Sequence, residues 1–454
     1  LASSTAVSWA NVRTVSARVV MRVRPEEDAE MVRSRVIDRL YGTITPLRTG
    51  FSEEGWPFGR DLYASDIYDI VLTEPAVSHV ERVRLVVDNV PARDVAAIAR
   101  DGYQSNTWFV AAADGIFRTR DDGQSWEALR IFEGDEIRCV EAHPGRDVER
   151  GGAARRGLVA AVRTARSDDG ARTSTLMVSR DLGESWTDIV RAGYEITDLA
   201  WLDDGPQPQL LLATEQGLFR TGLEAGVPAV PISVDPEQPE LGFFAVAAYR
   251  RANGKVEVAV ATMGRGVYGS SAGGESGTFE SWDLPQDVRV LESQYDGNAT
   301  YLWAGAVRGQ EDVAPFRMNR DDASPMFRQL AEGWTGEGCT ALAFGDGAVA
   351  GSYSAGTMRL ERGESGERWE RGGIDNGLPI RDEEGFLLEP VRSLAMDGSM
   401  VLAGTDRGVF RQDSPEERFV AAATEEFTDS VSLPDGWLFC SGQHDVEVAS
   451  WTQR

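Results

Sequence analysis

The sequence predicts a mainly all-β protein, a seven- or eight-bladed β-propeller with a small N-terminal α/β (β-α-α-β) module. A strand–turn–strand phrase recurs, in the copies AAADGIFRT (111–119), ATEQGLFRT (213–221), ATMGRGVYG (261–269) and AGTDRGVFR (403–411). Short apolar strands open successive units at spacings of roughly 40–60 residues, the range of four-stranded propeller blades. The pattern changes before residue 92, which predicts a separate module at residues 1–91 and the propeller at residues 92–454.

The number of blades depends on how the ring closes. Seven opening strands can be identified between residues 93 and 398. A partial eighth unit, residues 428–450, supplies at most three strands, and residues 83–90 could add a fourth. Pairing the first and last strands in one blade would close the ring and remove its exposed edges. The sequence therefore favours eight blades slightly over seven.

A second phrase follows two of the hairpins, as TRDDGQSW (119–126) and SRDLGESW (179–186). Its aspartate can accept backbone N–H bonds across a turn. Its glycine permits a left-handed backbone conformation, and its tryptophan begins the next strand, where it can fill the gap between sheets. These structural positions are Asp121, Gly123 and Trp126 in the first copy, and Asp181, Gly183 and Trp186 in the second.

Together these phrases resemble the Asp-box, or BNR-repeat, β-propellers over residues 92–454. The resemblance implies that the Asp-box turn stitches a blade together and does not face a ligand. Such propellers occur in sialidases, sorting receptors, photosystem assembly factors and carbohydrate binders, so the fold alone leaves the function open.

The first 91 residues alternate between strand and helix patterns. Residues 12–24 alternate as a strand, and Pro25 with three acidic residues after it is typical of a helix start. Apolar residues at helical spacing follow in residues 31–40, and again in residues 67–71. Residues 80–87 form a last strand. The chain begins with Leu1 rather than methionine, which favours a processed chain or the C-terminal part of a longer one.

Several motifs of this module fall in the order found in baseplate J-like proteins, which are wedge components of contractile phage tails and contractile injection systems. The most specific is Gly-Trp-Pro-Phe-Gly-Arg. The chain resembles the C-terminal portion of that family, although His79 stands near the place of the family's glycine–valine–aspartate phrase. The matching positions are Arg24, Pro25, Asp28, Pro46, Leu47, Gly55, Trp56, Pro57, Phe58, Gly59, Arg60, Ser65, Asp66, Ile67, Tyr68, Val77 and Val80.

The resemblance implies a structural component of the baseplate wedge, assembled in the cytoplasm as part of a phage tail-like particle that can be released. Its partners would be other wedge subunits and copies of itself. The loop from Gly55 to Arg60 would dock it, and the propeller would decorate the particle or recognise a surface glycan or receptor. The alternative is a generic α/β module, in which Trp56 and Phe58 are core anchors.

The net charge of the chain limits the classes of partner that it can bind. The net charge is −27 and the isoelectric point about 4.6, which argues against binding nucleic acid or an anionic membrane surface. No apolar run approaches the roughly 18 residues of a membrane span, so no membrane insertion is predicted. Lys255 is the only lysine among 46 basic residues. An acidic, arginine-rich chain fits a halophilic host, although a GC-rich genome would also produce it.

No catalytic constellation is recognisable. The arginine cluster, tyrosine–glutamate nucleophile and acid of sialidases are not apparent, and carboxylate pairs such as Asp121–Asp122 are typical of solvated surface. Cys139, Cys339 and Cys440 are far apart in the sequence, which predicts reduced thiols rather than a disulfide framework. The sequence therefore predicts no enzyme, no catalytic residue, no metal and no cofactor.

Tryptophans near strand starts or in loops could stack on sugars, but core filling between blades is the more common role of such residues. Two other functions therefore stay open beside the wedge component. One is a free-standing Asp-box propeller that acts as an assembly factor or carbohydrate-binding protein, and the other is a divergent glycosidase. The tryptophans concerned are Trp108, Trp201, Trp303, Trp334 and Trp437.

Overall fold

A computed structural model describes most of the chain. The described residues are mainly β-strand, with two α-helices. Contacts divide the chain into two compact units: unit 1 comprises residues 1–90 and 423–454, and unit 2 comprises residues 91–422. The described residues are 11–52, 55–57, 59–87, 91, 94–113, 115–132, 136–145, 155–166, 172–284, 287–306, 313–363, 366–382, 387–422, 427–432, 437–442 and 444–449.

Unit 1 begins with a long strand followed by helices on one face of a sheet. Asp28 caps the first helix by accepting the backbone N–H groups of Glu30 and Met31, each at 3.0 Å. Alternate residues of the first strand, from Val15 to Met21, are buried against the helices because successive strand side chains point to opposite faces. The elements are β1 (Asn11–Val23), α1 (Ala29–Thr43), β2 (Leu62–Tyr63), α2 (Ala64–Leu72) and β3 (Val77–Val87).

Unit 2 contains seven antiparallel four-stranded sheets among its described residues, each built from four consecutive strands. We number them sheet 1 to sheet 7 in chain order. The first four are sheet 1, β4 (Ala97–Arg100), β5 (Trp108–Ala112), β6 (Gly115–Thr119) and β7 (Glu127–Leu129); sheet 2, β8 (Glu136–Ala142), β9 (Val159–Arg166), β10 (Arg172–Ser179) and β11 (Thr187–Ala192); sheet 3, β12 (Ile196–Leu202), β13 (Gln209–Thr214), β14 (Gly217–Thr221) and β15 (Val230–Ile232); and sheet 4, β16 (Phe243–Arg250), β17 (Val256–Thr262), β18 (Val267–Ser270) and β19 (Phe279–Trp282).

Three more sheets complete unit 2, together with a 3-10 turn at Arg130–Phe132 and a short hairpin between sheets 6 and 7. They are sheet 5, β20 (Val288–Tyr295), β21 (Thr300–Ala306), β22 (Phe316–Asn319) and β23 (Arg328–Gln329); sheet 6, β24 (Cys339–Phe344), β25 (Ala348–Ser352), β26 (Thr357–Gly363) and β27 (Gly366–Arg371); the hairpin, β28 (Ile380–Asp382) and β29 (Leu387–Leu388); and sheet 7, β30 (Ser393–Asp397), β31 (Met400–Thr405), β32 (Gly408–Gln412) and β33 (Val420–Ala421).

The second strand of most of these sheets is buried on both faces. All five residues of β5 and all five of β25 are buried, and so are all but the first residue of β13, β17 and β31. A strand with neighbouring sheets on both sides cannot alternate between apolar and polar residues, because neither face meets water. This explains the continuous apolar runs in the recurring hairpin phrase.

The first strands of the sheets follow one another in a closed circle. Each contacts the first strand of the next sheet, in the order β4, β8, β12, β16, β20, β24 and β30, and β30 contacts β4. The sheets of unit 2 therefore surround a common centre that their first strands line.

The C-terminal strands join unit 1. Strands β36 and β37 pair in parallel with β1, and β34 pairs with β3, so that five strands form one sheet. The predicted ring closure through residues 83–90 and 428–450 is therefore wrong, because the strands described in both segments pair within unit 1. The predicted boundary also differs, since residues 423–454 do not belong to unit 2. These strands are β34 (Phe427–Thr428), β35 (Ser430–Val431), β36 (Trp437–Ser441) and β37 (Asp445–Val448).

His444 gives unit 1 a predictable pH dependence. Its Nδ1 accepts the backbone N–H of Ala17 at 2.9 Å, and burial lowers the pKa of the ring from 6.5 to about 4. As the pH falls through this interval, the unfolded histidine takes up a proton that the folded one does not. We expect the free energy of unfolding to decrease by about 3 kcal/mol from this residue alone between pH 7 and pH 4. Urea unfolding of the protein and of His444→Gln at both pH values tests this, and equal pH dependence of the two would contradict it.

No helix among the described residues is long and apolar enough to cross a membrane.

Candidate functional site

The turn at residues 119–126 is a closed set of hydrogen bonds around one aspartate. Asp121 accepts the Ser125 backbone N–H at 2.8 Å, the Ser125 hydroxyl at 2.6 Å and the Thr119 hydroxyl at 2.7 Å. The Thr119 oxygen in turn accepts the Gly123 N–H at 2.9 Å. Because both carboxylate oxygens accept bonds from within the turn, the role of Asp121 is to stabilise the turn.

The turn at residues 179–186 repeats this geometry. Asp181 accepts the Ser185 N–H at 2.9 Å and the Ser179 hydroxyl at 2.7 Å. Burial raises the pKa of Asp181, but hydrogen bonds from Ser185 and Ser179 outweigh this and lower it below 3.8. Gly183 has a φ of 88°, and a Cβ there would lie 3.0 Å from Leu129 of sheet 1. A side chain at this position would therefore strain the backbone and crowd the neighbouring sheet.

A third turn of this kind follows β18, and the sequence pattern missed it. Ser270 accepts the N–H groups of Ala272 and Gly274, each at 3.2 Å, as Thr119 does for Asp121 and Gly123. Ala272 stands where the other two turns have aspartate. The remaining signal is the spacing Ser270-x-x-x-Gly274.

Arginines connect these turns to the preceding sheet. In all three turns the residue after the aspartate position has a positive φ, and its carbonyl oxygen accepts a hydrogen bond from an arginine. These residues are Asp122, Leu182 and Gly273. Arg118 donates to the Leu182 carbonyl, Arg220 to Gly273 at 2.8 Å, and Arg411 to Asp122 at 2.7 Å. The last contact joins sheet 7 to sheet 1. In the sequence, the recurring arginine of GIFRT, GLFRT and GVFR is the feature that could have indicated these contacts.

Removing one of these arginines should destabilise unit 2. Arg118 is 1% exposed and also pairs with Glu127 and Glu184. Arg118→Met keeps the apolar stem and removes these bonds, so we expect the free energy of unfolding to decrease by about 2 kcal/mol. Arg120→Met is the matched control, because Arg120 pairs with the same Glu184 from an exposed position. This substitution should lower the free energy of unfolding by less than about 0.5 kcal/mol. Equal losses in urea unfolding would contradict the assignment.

The two predicted Asp-box tryptophans differ in burial. Trp126 is buried, whereas Trp186 is half-buried and packs edge-to-face on Phe132 with ring centroids 4.8 Å apart. Trp186 donates its indole N–H to the Gly183 carbonyl at 3.0 Å. Both side chains serve the turn and the adjoining sheet.

The predicted docking loop is folded into the core of unit 1. Trp56 is buried, donates its indole N–H to the Arg60 carbonyl at 3.0 Å and meets Phe439 edge-to-face. The Arg60 guanidinium lies over the Trp56 ring, 4.9 Å from its centroid. Gly55 has a φ of 76° and lies against the backbone of Pro46. Trp56 is thus a core residue and is not presented to a partner. Pro57 and Gly59 complete the described loop, and Phe58 lies outside the described residues.

Most of the other tryptophans considered as sugar platforms are core residues. Trp108, Trp303 and Trp334 are buried, and the Trp437 side chain lies outside the described part of the structure. Trp201 is also buried, but it borders a cavity. Cys139 and Cys339 are buried free thiols, and Cys440 is a half-buried one.

A cavity of about 180 Å³ lies among the first strands of sheets 2 to 5. Its wall combines carboxylates, aromatic rings, a histidine and small apolar residues, which is the mixture typical of ligand pockets. The polar and aromatic lining residues are Glu141, His143, Asp198, Trp201, Asp203, Tyr249, Arg250, Glu292 and Ser293. Only Trp201 was singled out from the sequence, as a possible sugar platform; the others gave no signal, because four different sheets contribute the lining.

Two of the cavity carboxylates have perturbed pKa values. Burial raises the pKa of Asp198 from 3.8 to about 7, even though the Val246 N–H donates to its Oδ2 at 2.8 Å. Burial also raises the pKa of Glu141 well above 4.5, and the charges of Glu292 and Asp198 add to this effect. Glu292 itself is exposed. Raised carboxyl pKa values inside a cavity are a recognised mark of functional sites.

His143 and Asp203 lie near each other in the cavity wall. His143 Nδ1 accepts the Gly145 N–H at 3.2 Å, so the ring proton lies on Nε2, which is 3.7 Å from Asp203 Oδ2. Arg155 holds Asp203 from behind through Nε at 2.7 Å, and it is itself buried. The His143 ring lies beside Trp201, with centroids 5.3 Å apart.

Behind Tyr249 is a buried ionic network. Glu257, with no exposed surface, accepts the Tyr249 hydroxyl at 3.0 Å, Arg320 Nε at 2.7 Å, Arg251 Nη1 at 3.3 Å and the Ser271 hydroxyl at 3.0 Å. Arg320 also lies 4.2 Å from the centroid of the Trp282 ring. The network joins sheets 4 and 5 and fixes the ring of Tyr249 at the cavity wall.

The described residues contain no group of three or more His, Cys, Asp or Glu side chains that could hold a metal ion. The cavity carboxyl groups of Glu141, Asp198 and Glu292 come from three different sheets. What they can do is accept hydrogen bonds, attract positive charge or, in the case of Asp198, exchange a proton near neutral pH.

No family model matches the sequence, and no curated protein does. Solved structures do match. The GH74 xyloglucanase from Xanthomonas campestris is 14% identical with a TM-score of 0.51, over 78% of this chain and 55% of that one. An ancestral GH74 enzyme is 12% identical with a TM-score of 0.48, over 75% and 50%. YCF48 from Cyanidioschyzon merolae is 12% identical with a TM-score of 0.47, over 72% and 98%. The chain spans about half the length of the two GH74 enzymes.

These structures correct the functional prediction. The predicted role of a structural component in a baseplate wedge is wrong, because the fold that 78% of the chain shares with a solved structure is that of the GH74 xyloglucanase. The baseplate reading depended on sequence motifs in unit 1, and its most specific one, the loop at residues 55–60, contributes Trp56 to that unit's core. The chain is mainly all-β, and its four-stranded antiparallel sheets share the fold of propeller proteins such as the GH74 xyloglucanase.

Proposed function

We propose that this protein is a carbohydrate-binding propeller that holds a sugar in the cavity among the first strands of sheets 2 to 5. The observation that carries the proposal is the composition of the cavity wall. Asp198 and Glu141 are hydrogen-bond acceptors, His143 Nε2–H is a donor, and Trp201 and Tyr249 contribute aromatic surface. Sugars offer many hydroxyl donors beside apolar ring faces, and this combination fits them.

The propeller in this proposal has seven blades, and its turns are Asp boxes. The seven four-stranded sheets and the circular contacts of their first strands support seven rather than eight. The matching hydrogen bonds around Asp121 and Asp181 support the Asp boxes. Unit 1, built from both ends of the chain, is in this account an accessory α/β module.

Titration calorimetry with a panel of soluble neutral glycans, including xyloglucan, tests the proposal. We expect one site per chain, and at least a tenfold loss of affinity in the double variant Glu141→Gln, Trp201→Phe. The matched control is Asp375→Asn, an exposed residue outside the cavity that should bind as the unchanged protein does. Absence of binding across the panel, or equal binding by both variants, would contradict the proposal.

A second candidate function is glycoside hydrolysis, and one observation favours it. A carboxyl group with a pKa of about 7 is protonated often enough at neutral pH to act as a general acid, as glycosidases require. In that case Asp198→Asn should keep sugar binding and abolish turnover. Reducing-sugar release from the bound glycans decides between the two.

A further inference from the structure

We infer that unit 1 keeps the circle of seven sheets in unit 2 closed, by joining the two chain segments that leave its first and last sheets. We call the joint between sheet 7 (β30 to β33) and sheet 1 (β4 to β7) the seam. Such a role for unit 1 goes beyond the proposed function, because it does not depend on what the cavity among sheets 2 to 5 binds.

The seam lacks the direct chain connection that joins the other neighbouring sheets. Each sheet is built from four consecutive strands, so neither end of unit 2 lends a strand to the sheet at the other end. Backbone bonds cross the seam just before β4: Asp94 donates to the Asp406 carbonyl at 3.0 Å, and Val95 donates to the Thr405 carbonyl at 3.1 Å. Within unit 2 the seam is therefore held by non-covalent contacts, since the covalent path between its two sides runs through all the other sheets.

The first and last residues of unit 2 are hydrogen-bonded to the same residue of β32. The Val409 N–H donates to the Pro91 carbonyl at 3.2 Å, and the Val409 carbonyl accepts the Ala422 N–H at 2.8 Å. The chain therefore enters and leaves the circle at adjacent points. A short link between adjacent ends costs less conformational entropy than a long one.

The chain segments that continue from these two ends pair with each other in unit 1. Val86, five residues before Pro91, is paired with Phe427, five residues after Ala422, where β3 and β34 run antiparallel. Farther along the chain, β36 and β37 pair in parallel with β1. The segments before and after unit 2 thus belong to one sheet, which links sheet 1 to sheet 7 by a short path.

The hydrophobic core of unit 1 stabilises this pairing. Val431, Phe439 and Val446 of the C-terminal segment are buried in the same core as residues of β1 and α1. Arg33 of α1 also donates to the Val446 carbonyl at 2.8 Å. Separating the two sides of the seam beyond the reach of the short connections would require this core to open. Unit 1 therefore raises the effective concentration of each side of the seam for the other.

Lengthening one connection tests this role without altering either core. An insert of about forty Gly and Ser residues that contains a protease site, placed directly after Ala422, lengthens the path roughly fivefold and should lower the effective concentration about tenfold. We then expect about tenfold faster hydrogen exchange, measured by mass spectrometry, at the Asp94 and Val95 amides, because their exchange follows the opening of the seam. Cutting the insert in the folded protein should accelerate this exchange further.

Two controls distinguish opening of the seam from a general loss of stability. The Val246 amide donates to Asp198 across the joint between sheets 3 and 4, and its exchange rate should change by less than about twofold. The same insert placed between Asn253 and Gly254, in the exposed turn between β16 and β17, should leave exchange at the seam unchanged.

Unchanged exchange at the seam, both before and after cutting, would overturn the inference, because the contacts of the seam would then suffice to close the circle. Equal acceleration at the Val246 amide would also overturn it, since the insert would then weaken unit 2 as a whole. Either result leaves the carbohydrate-binding proposal standing, because ligand titration tests that proposal separately.

Discussion

Asp198→Asn should make the protein more stable above neutral pH, by up to about 4 kcal/mol. The pKa of Asp198 is about 7 in the folded protein and 3.8 when unperturbed. As the pH rises from 4 to 7, the unfolded carboxyl ionises while the folded one stays protonated, so stability falls over this interval. Each unit of pKa difference corresponds to about 1.4 kcal/mol. Asparagine cannot ionise, and its oxygen can still accept the Val246 N–H.

Urea unfolding at pH 4 and pH 8 measures the effect. The variant should gain stability at pH 8 and little at pH 4. Asp181→Asn is a control of opposite sign, because hydrogen bonds lower the pKa of Asp181 and its carboxylate holds a turn. A variant at residue 198 that is less stable than the unchanged protein at pH 8 would contradict the account. A destabilising charge kept in a cavity is what a binding site entails.

Glu257→Gln should destabilise unit 2 by about 3–5 kcal/mol. The substitution leaves Arg320, which is 5% exposed, with its positive charge buried and no counter-charge at Oε2. Removing one partner of a buried ion pair costs far more than the pair itself contributes, because the remaining charge has lost its solvation. The Tyr249 hydroxyl also loses its carboxylate acceptor.

The matched control is Asp375→Asn, which breaks the surface pair with Arg418, where both side chains are about 70% exposed. That change should cost under about 1 kcal/mol. A double-mutant cycle with Arg320→Met should give a coupling energy of similar size to the single loss at residue 257. Additive effects of the two substitutions would contradict the network.

The repeats predicted the β-sheets well because their signals are local. The hairpin phrases coincide with the second and third strands of sheets 1, 3, 4 and 7, since a glycine turn between two apolar strands needs no distant partner. The turns at Asp121 and Asp181 are equally local. The number of sheets in the ring was harder to predict, because a tail of short strands can pair with any exposed edge, and here it pairs with β1 and β3.

The cavity could not be predicted in the same way. Glu141, Asp198 and Glu292 are separated by dozens of residues and come together only because three first strands face a common centre. In a chain with 73 acidic residues, no single carboxylate stands out by composition. The motif at residues 55–60 was wrongly predicted to be a docking loop for a related reason. Aromatic residues around a proline can belong to a core or to an interface, and only the burial of Trp56 in the structure distinguishes these roles.

A crystal structure of the protein soaked with a neutral oligosaccharide of the xyloglucan type tests the central claim most directly, because it locates the ligand without relying on variants. The account predicts a sugar ring beside Trp201, with hydroxyl groups within hydrogen-bonding distance of Glu141 or Asp198. Ligand bound only at the outer surface of the sheets or on unit 1, with none in this cavity, would contradict it.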